Sequence, residues 1–435
     1  MSCSNRRTGS FKNPARSRTL LVTNSIHSHT YENGLVLLAE TMDWVESAAF
    51  ALLLPAGYVH DPAHQLGVAN FTCEMVQRGC GDRDSHQFVE DLDRLGVDRS
   101  VSVAAAHTSF GGATLADNLF DSLSIYADLV RKPILPPDQL EEGRQVCFQE
   151  LWSLEDDLAR KTMMRLKERF YGDPWGRSSY GTRDHLEAIS IEQIVEHTQQ
   201  CYRPSDAILS VAGKVDWEHL RDQIEGLFGD WSSRTSHPIP ESPATRGYEH
   251  VSFDSSQTQI GVAYESVPYA HPDYFQARAA VGILSDGMSS RLFTEIRENR
   301  GLCYSVYASC HSLRSRGSVL CYAATSTERS QETLDVMLSE LKRMKDGVRK
   351  DELDRLKARL KSSLIMQQES SSARSSSMAA DWFHLGRVMA MDEVGKIIDE
   401  LSCDSINAFL EKNAPETFTV VTLGEKKLEV PIGIS

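Results

Sequence analysis

Stretches in which apolar and polar residues alternate recur along the chain, each followed by stretches whose apolar positions fall three and four apart. These are the periods of a half-buried strand and an amphipathic helix. Over Ser100–Leu151 the order is a strand (SVSVAAA), a strand (TSFGGATL), a helix (NLFDSLSIYADLVRK) and a second helix opening DQLEEGRQVCFQEL. Cys303–Leu364 repeats that order with CYSVYASC, GSVLCYAAT, SQETLDVMLSELKRMKDG and DELDRLKARLKSSL. Asp138-Gln139-Leu140 takes the place of Asp351-Glu352-Leu353, an offset of 213 residues (351 minus 138). A repeat of that length predicts two halves built on one plan. The stretch Ser252–Glu265 reads as a β-run, and Gln331–Lys345 as a helix with Leu334, Met337, Leu338 and Leu341 on one face. Strands in runs followed by helices predict an α+β fold, each half a mainly antiparallel sheet packed with helices.

The halves meet at TSHPIPESPATRGY, residues 235–248, where Pro238, Pro240 and Pro243 favour an extended connector. This divides the chain into an N-terminal domain, 20–234, and a C-terminal domain, 249–435. Residues 1–19 read as a disordered basic tail. Arg6, Arg7, Lys12, Arg16 and Arg18 precede only Leu20-Leu21-Val22, too short for a signal-peptide core, and amphipathic transit-peptide spacing is absent. No stretch reaches the roughly 20 apolar residues needed to span a bilayer. At 435 residues, 41% hydrophobic and 25% charged, the chain is a soluble globular type too long for one core. Its 46 basic and 61 acidic residues, net charge -15, argue against nucleic acid as a partner. Nine scattered cysteines without a Cys-x-x-Cys argue against a disulfide framework or zinc knuckle and for a reducing compartment, hence a cytoplasmic location.

Candidate chemistry and its surroundings sit in five stretches. DGMSSRLFTEIRENRGLCYSVYAS (Asp286–Ser309) reads as a helix ending on Asn299-Arg300-Gly301 and passing into a strand. Arg297 and Arg300 suit the negative end of the helix dipole, and Gly301 suits a left-handed cap. DPAHQLGVANFTCEMVQRG (Asp61–Gly79), EEGRQVCFQELWSLEDD (Glu141–Asp157) and GDPWGRSSYGTRDHLEAIS (Gly172–Ser190) lie in the first half, and QTQIGVAYESVP (Gln257–Pro268) in the second. Together they resemble the pitrilysin/insulinase family of zinc peptidases, in particular its bacterial and mitochondrial-processing-peptidase branch. The resemblance implies two related α+β domains in a clam-shell arrangement around a peptide substrate. It also implies that Arg297 and Tyr304, seven residues apart, bind that substrate near the scissile carbonyl.

The family's zinc helix needs His-x-x-Glu-His, two histidines on one helix face with a glutamate base between them. The matching positions hold Asn70, Cys73 and Glu74, while Glu150 takes the place of the family's third, carboxylate ligand. An Asn amide is not a usual zinc ligand, and a thiol is a poor water-activating base at neutral pH. No intact catalytic site and no bound metal are therefore expected in this chain. His60 and His64 flank Pro62 and read as loop residues, and His185, His197, His271 and His311 stand alone. Ser370–Ser377 lack a nucleophile elbow and read as a polar helix surface or loop.

The resemblance thus implies a non-catalytic subunit that forms a heterodimer with a catalytic paralogue, the zinc lying in that partner. In that arrangement Arg297 and Tyr304 clamp a peptide and stabilise the oxyanion. The leading alternative is a structural or peptide-binding protein of the same fold, like the core subunits of the respiratory bc complex. A relative of the processing peptidase's non-catalytic subunit is a further reading, although only Gly287 stands where that subunit has a glycine-rich run. A metallopeptidase acting alone through Cys73, Glu74 and Glu150 ranks last.

Overall fold

The computed structural model describes residues 26–233 and 239–430. The basic tail, Leu20-Leu21-Val22 and residues 235–238 of the Pro-rich connector lie outside the described residues. The first half contributes strands β1 (Ile26–Thr30), β2 (Val36–Thr41), β3 (Ser47–Leu54), β4 (Gly79–Cys80), β5 (Arg83–Asp84), β6 (Asp98–Val103), β7 (Thr108–Leu115) and β8 (Ile208–Gly213). Its helices are α1 (Val68–Val76), α2 (Ser85–Arg94), α3 (Leu119–Arg131), α4 (Leu140–Asp156), α5 (Leu158–Tyr171), α6 (Arg183–Ala188), α7 (Ile191–Cys201) and α8 (Trp217–Phe228). The second half contributes β9 (Tyr248–Ser252), β10 (Gln257–Ser266), β11 (Cys303–Ser312), β12 (Gly317–Ser326) and β13 (Thr419–Gly424). Its helices are α9 (Tyr274–Ser285), α10 (Ser330–Lys342), α11 (Lys350–Gln368), α12 (Ser371–Leu385), α13 (Met391–Glu400) and α14 (Cys403–Lys412). Among the described residues no helix is long and apolar enough to cross a membrane.

The repeat read from sequence is a repeat of topology. One sheet runs β6-β7-β3-β8-β2-β1 and the other β11-β12-β10-β13-β9. In both, the first four strands are antiparallel to their neighbours and the fifth is parallel to the fourth. The mixed α+β class follows directly. The face of α10 bearing Leu334, Met337, Leu338 and Leu341 is buried in the second core. The β-run at Ser252–Glu265 is broken, because β9 ends at Ser252 and β10 begins only at Gln257.

The central strands are apolar without alternation: SAAFALLL in β3 and ILSVAG in β8 are buried almost throughout. That pattern requires both sheet faces to be covered. Each sheet's main core fills one face, and a helix of the opposite half covers the other. Helix α12 packs on β3 and β8, burying Met378 and Ala379 against Val36, Leu38, Leu53 and Ile208. Helix α5 packs on β10 and β13, burying Leu166 and Phe170 with Ala263, Leu320 and Val421. Ser370–Ser377 is therefore a helix start with one polar face, Ser372 and Ser376, in solvent and the other against the sheet. Ser371 and Ser375 point inward, and their small side chains let α12 approach the foreign sheet.

Each crossing helix is pinned by arginine to a glutamate on an equivalent strand. Arg374 of α12 is 1% exposed and reaches Glu40 Oε2 on β2 with Nε and Nη2, both at 2.6 Å. Arg165 of α5 makes bonds of 2.8–3.1 Å to Glu249 on β9, joined by Arg169 at 3.3 Å. The first pair is fully buried and the second half-exposed.

Breaking a buried pair leaves a desolvated charge behind. Arg374→Met is expected to destabilise the chain by about 3–5 kcal/mol in urea denaturation, with much of the loss recovered in the Glu40→Leu/Arg374→Met double variant. A loss below about 1 kcal/mol would show that the pair is dispensable.

His197 in α7 is 5% exposed, neither ring nitrogen has a hydrogen-bond partner, and burial holds its pKa down at about 3. His60 and His107 are pushed the same way, to about 4. Since the folded pKa lies below the unfolded one, the unfolded chain takes up more protons between the two values. Stability is full above about pH 6.5 and falls as pH drops through this window. The loss between pH 7 and 5 should reach about 2 kcal/mol from His197. Thermal melts across that range should show a slope that His197→Gln reduces.

Candidate functional site

Helices α1 and α4 carry the four positions at which the resemblance places a zinc site. Helix α1 begins where Asp61 accepts from the backbone N–H of Gly67 at 2.6 Å and of Ala69 at 3.0 Å, satisfying donors that a helix start leaves unpaired. Burial raises the Asp61 carboxyl to about 7, against the lowering by these bonds and by Arg177. Helix α4 crosses α1 at Gly143, where a Cβ would stand 2.7 Å from Met75 Sδ. That close approach needs glycine and brings Glu150 of α4 to Asn70 of α1.

The contacts at these positions are closed among themselves. Asn70 Nδ2 donates to Glu150 Oε2 at 2.7 Å. Burial raises the Glu150 pKa, the Asn70 bond opposes this, and Glu74 raises it further. Glu74 accepts from Arg78 Nε at 3.1 Å and Nη2 at 2.8 Å, one turn along the helix. Cys73 faces the core with 4% exposure, and burial, then Glu74 and Glu150, push its thiol far above its ordinary range. These residues do not suit a zinc ion. The amide offers its N–H to the only carboxylate opposite it, the second carboxylate is held by an arginine, and the thiol is kept protonated. Among the described residues no three His, Cys, Asp or Glu are grouped to hold a metal.

Arg297 and Tyr304 come together in the second half. The helix read over Asp286–Asn299 is shorter than its sequence pattern. Residues 286–290 turn irregularly after α9, helical turns run over 291–298, and the turn Phe293–Glu298 is π-helical. Gly301, at φ +57°, caps it: its N–H donates to Arg297 O at 3.0 Å, and that of Leu302 to Ile296 O at 2.8 Å. Just beyond, the β11–β12 register slips between Cys303 and Ser305, so Tyr304 is the extra residue of a bulge. A bulge re-aims its side chain, and Tyr304 is 85% exposed. The Arg297 guanidinium lies 5.3 Å from the Tyr304 ring centroid and 4.9 Å from that of Phe293. Among the described residues neither Arg297 nor the Tyr304 hydroxyl is engaged in a side-chain hydrogen bond or ion pair. No such bond or ring contact links either residue to Asn70, Cys73, Glu74 or Glu150.

The bulge left no mark in the sequence beyond the Gly301 cap just before it. His60 and His64 lie where the Pro62 reading puts them, in a short helical turn (Tyr58–His60) and the bend after it. His311 is not alone: its Nδ1 pairs with the Tyr171 hydroxyl at 2.7 Å.

Comparison with known proteins adds two family matches, to the insulinase-type Peptidase family M16 over residues 36–183 and to the Peptidase M16 inactive domain over residues 188–360. A protein of Rickettsia bellii described as an uncharacterized zinc protease is 25% identical over 399 residues, covering 91% of this chain and 97% of its own length. The crystal structure of a peptidase M16 inactive domain from Pseudomonas fluorescens is similar with a TM-score of 0.83 at 20% identity, covering 94% of this chain and 99% of its own. A chain of complex III2 from Candida albicans is similar with a TM-score of 0.80 at 16% identity, covering 92% and 96%.

The closed contacts on α1 and α4 predict a specific response to restored ligands. The wild-type chain, dialysed with zinc and gel-filtered, should retain well under one equivalent by elemental analysis. Asn70→His/Glu74→His, which leaves Glu150 opposite two imidazoles, should retain about one. Equal zinc in both would contradict this account.

Proposed function

This chain belongs to the M16, insulinase-type family of peptidases, and on that premise we propose that it is a non-catalytic subunit working beside a paralogue that bears the intact zinc motif. It contributes substrate binding and oxyanion stabilisation to peptide hydrolysis carried out on the partner's site, in the cytoplasm, as a member of the mitochondrial-processing-peptidase-like branch. The observation that carries the reading is the pairing of Arg297 with Tyr304. A helix cap and a strand bulge together present an unpaired guanidinium and a hydroxyl to solvent. Holding an aromatic side chain 85% exposed adds nothing to packing, which favours a ligand-facing role.

The chemistry asked of the pair is modest. The guanidinium and the phenol each donate a hydrogen bond to a substrate carbonyl oxygen, and both bonds strengthen as negative charge develops there. Their stacking holds the two donors in one orientation before substrate arrives, which lowers the ordering cost of binding. The edge strands β6 and β11 each leave one side of the ladder unpaired, and a peptide can add there as a further strand. Against this open wall stands the closed one: Asn70, Cys73 and Glu74 leave the chain with no intact catalytic site of its own.

Mixing the chain with a paralogue containing His-x-x-Glu-His tests the proposal. Arg297→Ala and Tyr304→Phe should each lower kcat/KM of the mixture about 10–100-fold while co-elution of the two chains is unchanged. Activity indifferent to both substitutions would leave the competing reading, a peptide-binding protein of the same fold without a role in proteolysis.

A further inference from the structure

A cavity of about 390 Å³ lies on the seam between the halves, apart from the four positions on α1 and α4 and from the Arg297–Tyr304 pair. Its walls are the turns that end β6 and β11, at Val103–His107 and Ser312–Arg314, together with α5 and the end of α12. The two turns are repeat-related, the stretch Trp175–Tyr180 completes the wall, and the cavity exists in neither half alone. Neither Asn70 and Glu150 nor Arg297 and Tyr304 line it.

Its chemistry is one-sided. Arg160, Lys167, Arg177 and Arg314 line it, and no aspartate or glutamate does. Arg177 is held by Asp173, and Arg160 lies 3.9 Å from Asp157. Among the described residues the side chains of Lys167 and Arg314 have no hydrogen bond or ion pair. Lys167 is half-buried beside His311, and burial lowers its pKa, the mark of an ammonium without a counter-charge. Arg314 stands at the mouth over the Phe383 ring. The histidines add donors and acceptors but little charge: burial holds His107 and His311 near 4. Nδ1 of His107 and of His384 are buried without partners. The remaining wall is apolar, from Leu154, Met163, Met164, Trp175 and Phe383.

Such a lining suits an anion attached to an apolar group. The volume is at the small end for ligand sites and takes the last residue or two of a chain. Val103 and Ser312, the final residues of the two edge strands, both line the cavity. A peptide running along either edge toward that end therefore arrives with its terminus in the cavity. The positive field repels an ammonium and favours a carboxylate, whose charge-assisted bonds are the stronger kind.

We propose that this seam cavity receives the free C-terminal carboxylate of a peptide ending in an apolar residue, with Lys167 and Arg314 as its cationic partners. The proposal rests on the reading of the chain as a peptide-binding subunit and deepens it by naming the substrate class: short peptides with a free, apolar C-terminus.

Calorimetric titration of the full chain with pentaalanyl-leucine, as free acid and as C-terminal amide, tests it without any variant. The acid should bind at least tenfold more tightly. Lys167→Met, which keeps the apolar stem, should bring the acid down to the amide's affinity, and Arg314→Gln should cause a smaller loss, with melting temperatures confirming that both variants fold. Equal affinity of acid and amide in the wild type, or acid preference untouched in Lys167→Met, overturns the proposal. Octanoate binding as tightly as the peptide overturns the peptide assignment in favour of a free carboxylic acid. Equal binding of acid and amide, with cleavage by the mixed pair still dependent on Arg297 and Tyr304, sinks the cavity proposal alone. Acid-selective binding with cleavage indifferent to both residues sinks the subunit reading alone.

Discussion

The exchange of helices between the two sheets is the constraint on which the rest of the structure depends. A sheet whose central strands are apolar on both sides cannot leave one side wet, since each square ångström exposed costs roughly 25 cal/mol. In this chain the second cover is always foreign, α12 for the first sheet and α5 for the second. The arginine on each helix finds a glutamate on the fifth strand of the sheet it covers, Glu40 or Glu249. A buried ion pair returns little net stability after desolvation. What it adds is register: Arg374 can dock α12 at one position only, because any other leaves two unpaired charges in the core. The duplicated turns, and with them the seam cavity, are held in place by that docking.

This arrangement explains why the fold needs no metal at the positions where the resemblance places one. A metal held from α1 and α4 would bridge two helices, but the crossing has other supports. Asp61 caps α1, Gly143 allows the close approach, and the Asn70–Glu150 hydrogen bond spans the gap. That bond lies at a solvent-exposed edge and is worth no more than about 1 kcal/mol. The helices are placed by packing, with Phe71, Met75 and Cys147 buried between them, so the polar positions are free to vary in chemistry.

Much of this was legible in the sequence for a physical reason: local periodicity and caps are encoded within a few residues. The repeat of β6, β7, α3 and α4 in β11, β12, α10 and α11 showed through its pattern of strands and helices, and Gly301 announced its cap. What could not be read depended on partners far along the chain. The buried serines of α12, Ser371 and Ser375, look like surface until β3, more than 300 residues upstream, is laid against them. Arg374 carries no local sign of Glu40, and Lys167 is one polar residue on an amphipathic helix until the turn at Ser312–Arg314 closes over it. The bulge at Tyr304 is a property of two strands in register, and one strand cannot reveal it.

The two halves of the molecule, alike in topology, therefore differ in electrostatic completeness, and that difference is informative. On the α1–α4 wall Asn70, Glu74 and Glu150 each have a protein partner, while the Thr72 hydroxyl beside them is buried without one among the described residues. On the opposite wall Arg297 and the Tyr304 hydroxyl, and on the seam Lys167 and Arg314, lack side-chain partners of opposite charge or matching polarity. For Lys167, half-buried without an ion pair among the described residues, that is costly, and the cost falls when a negatively charged ligand arrives. The asymmetry between the paired groups on α1 and α4 and the unpaired Arg297 and Tyr304 is the physical argument behind the proposal that this fold binds peptides.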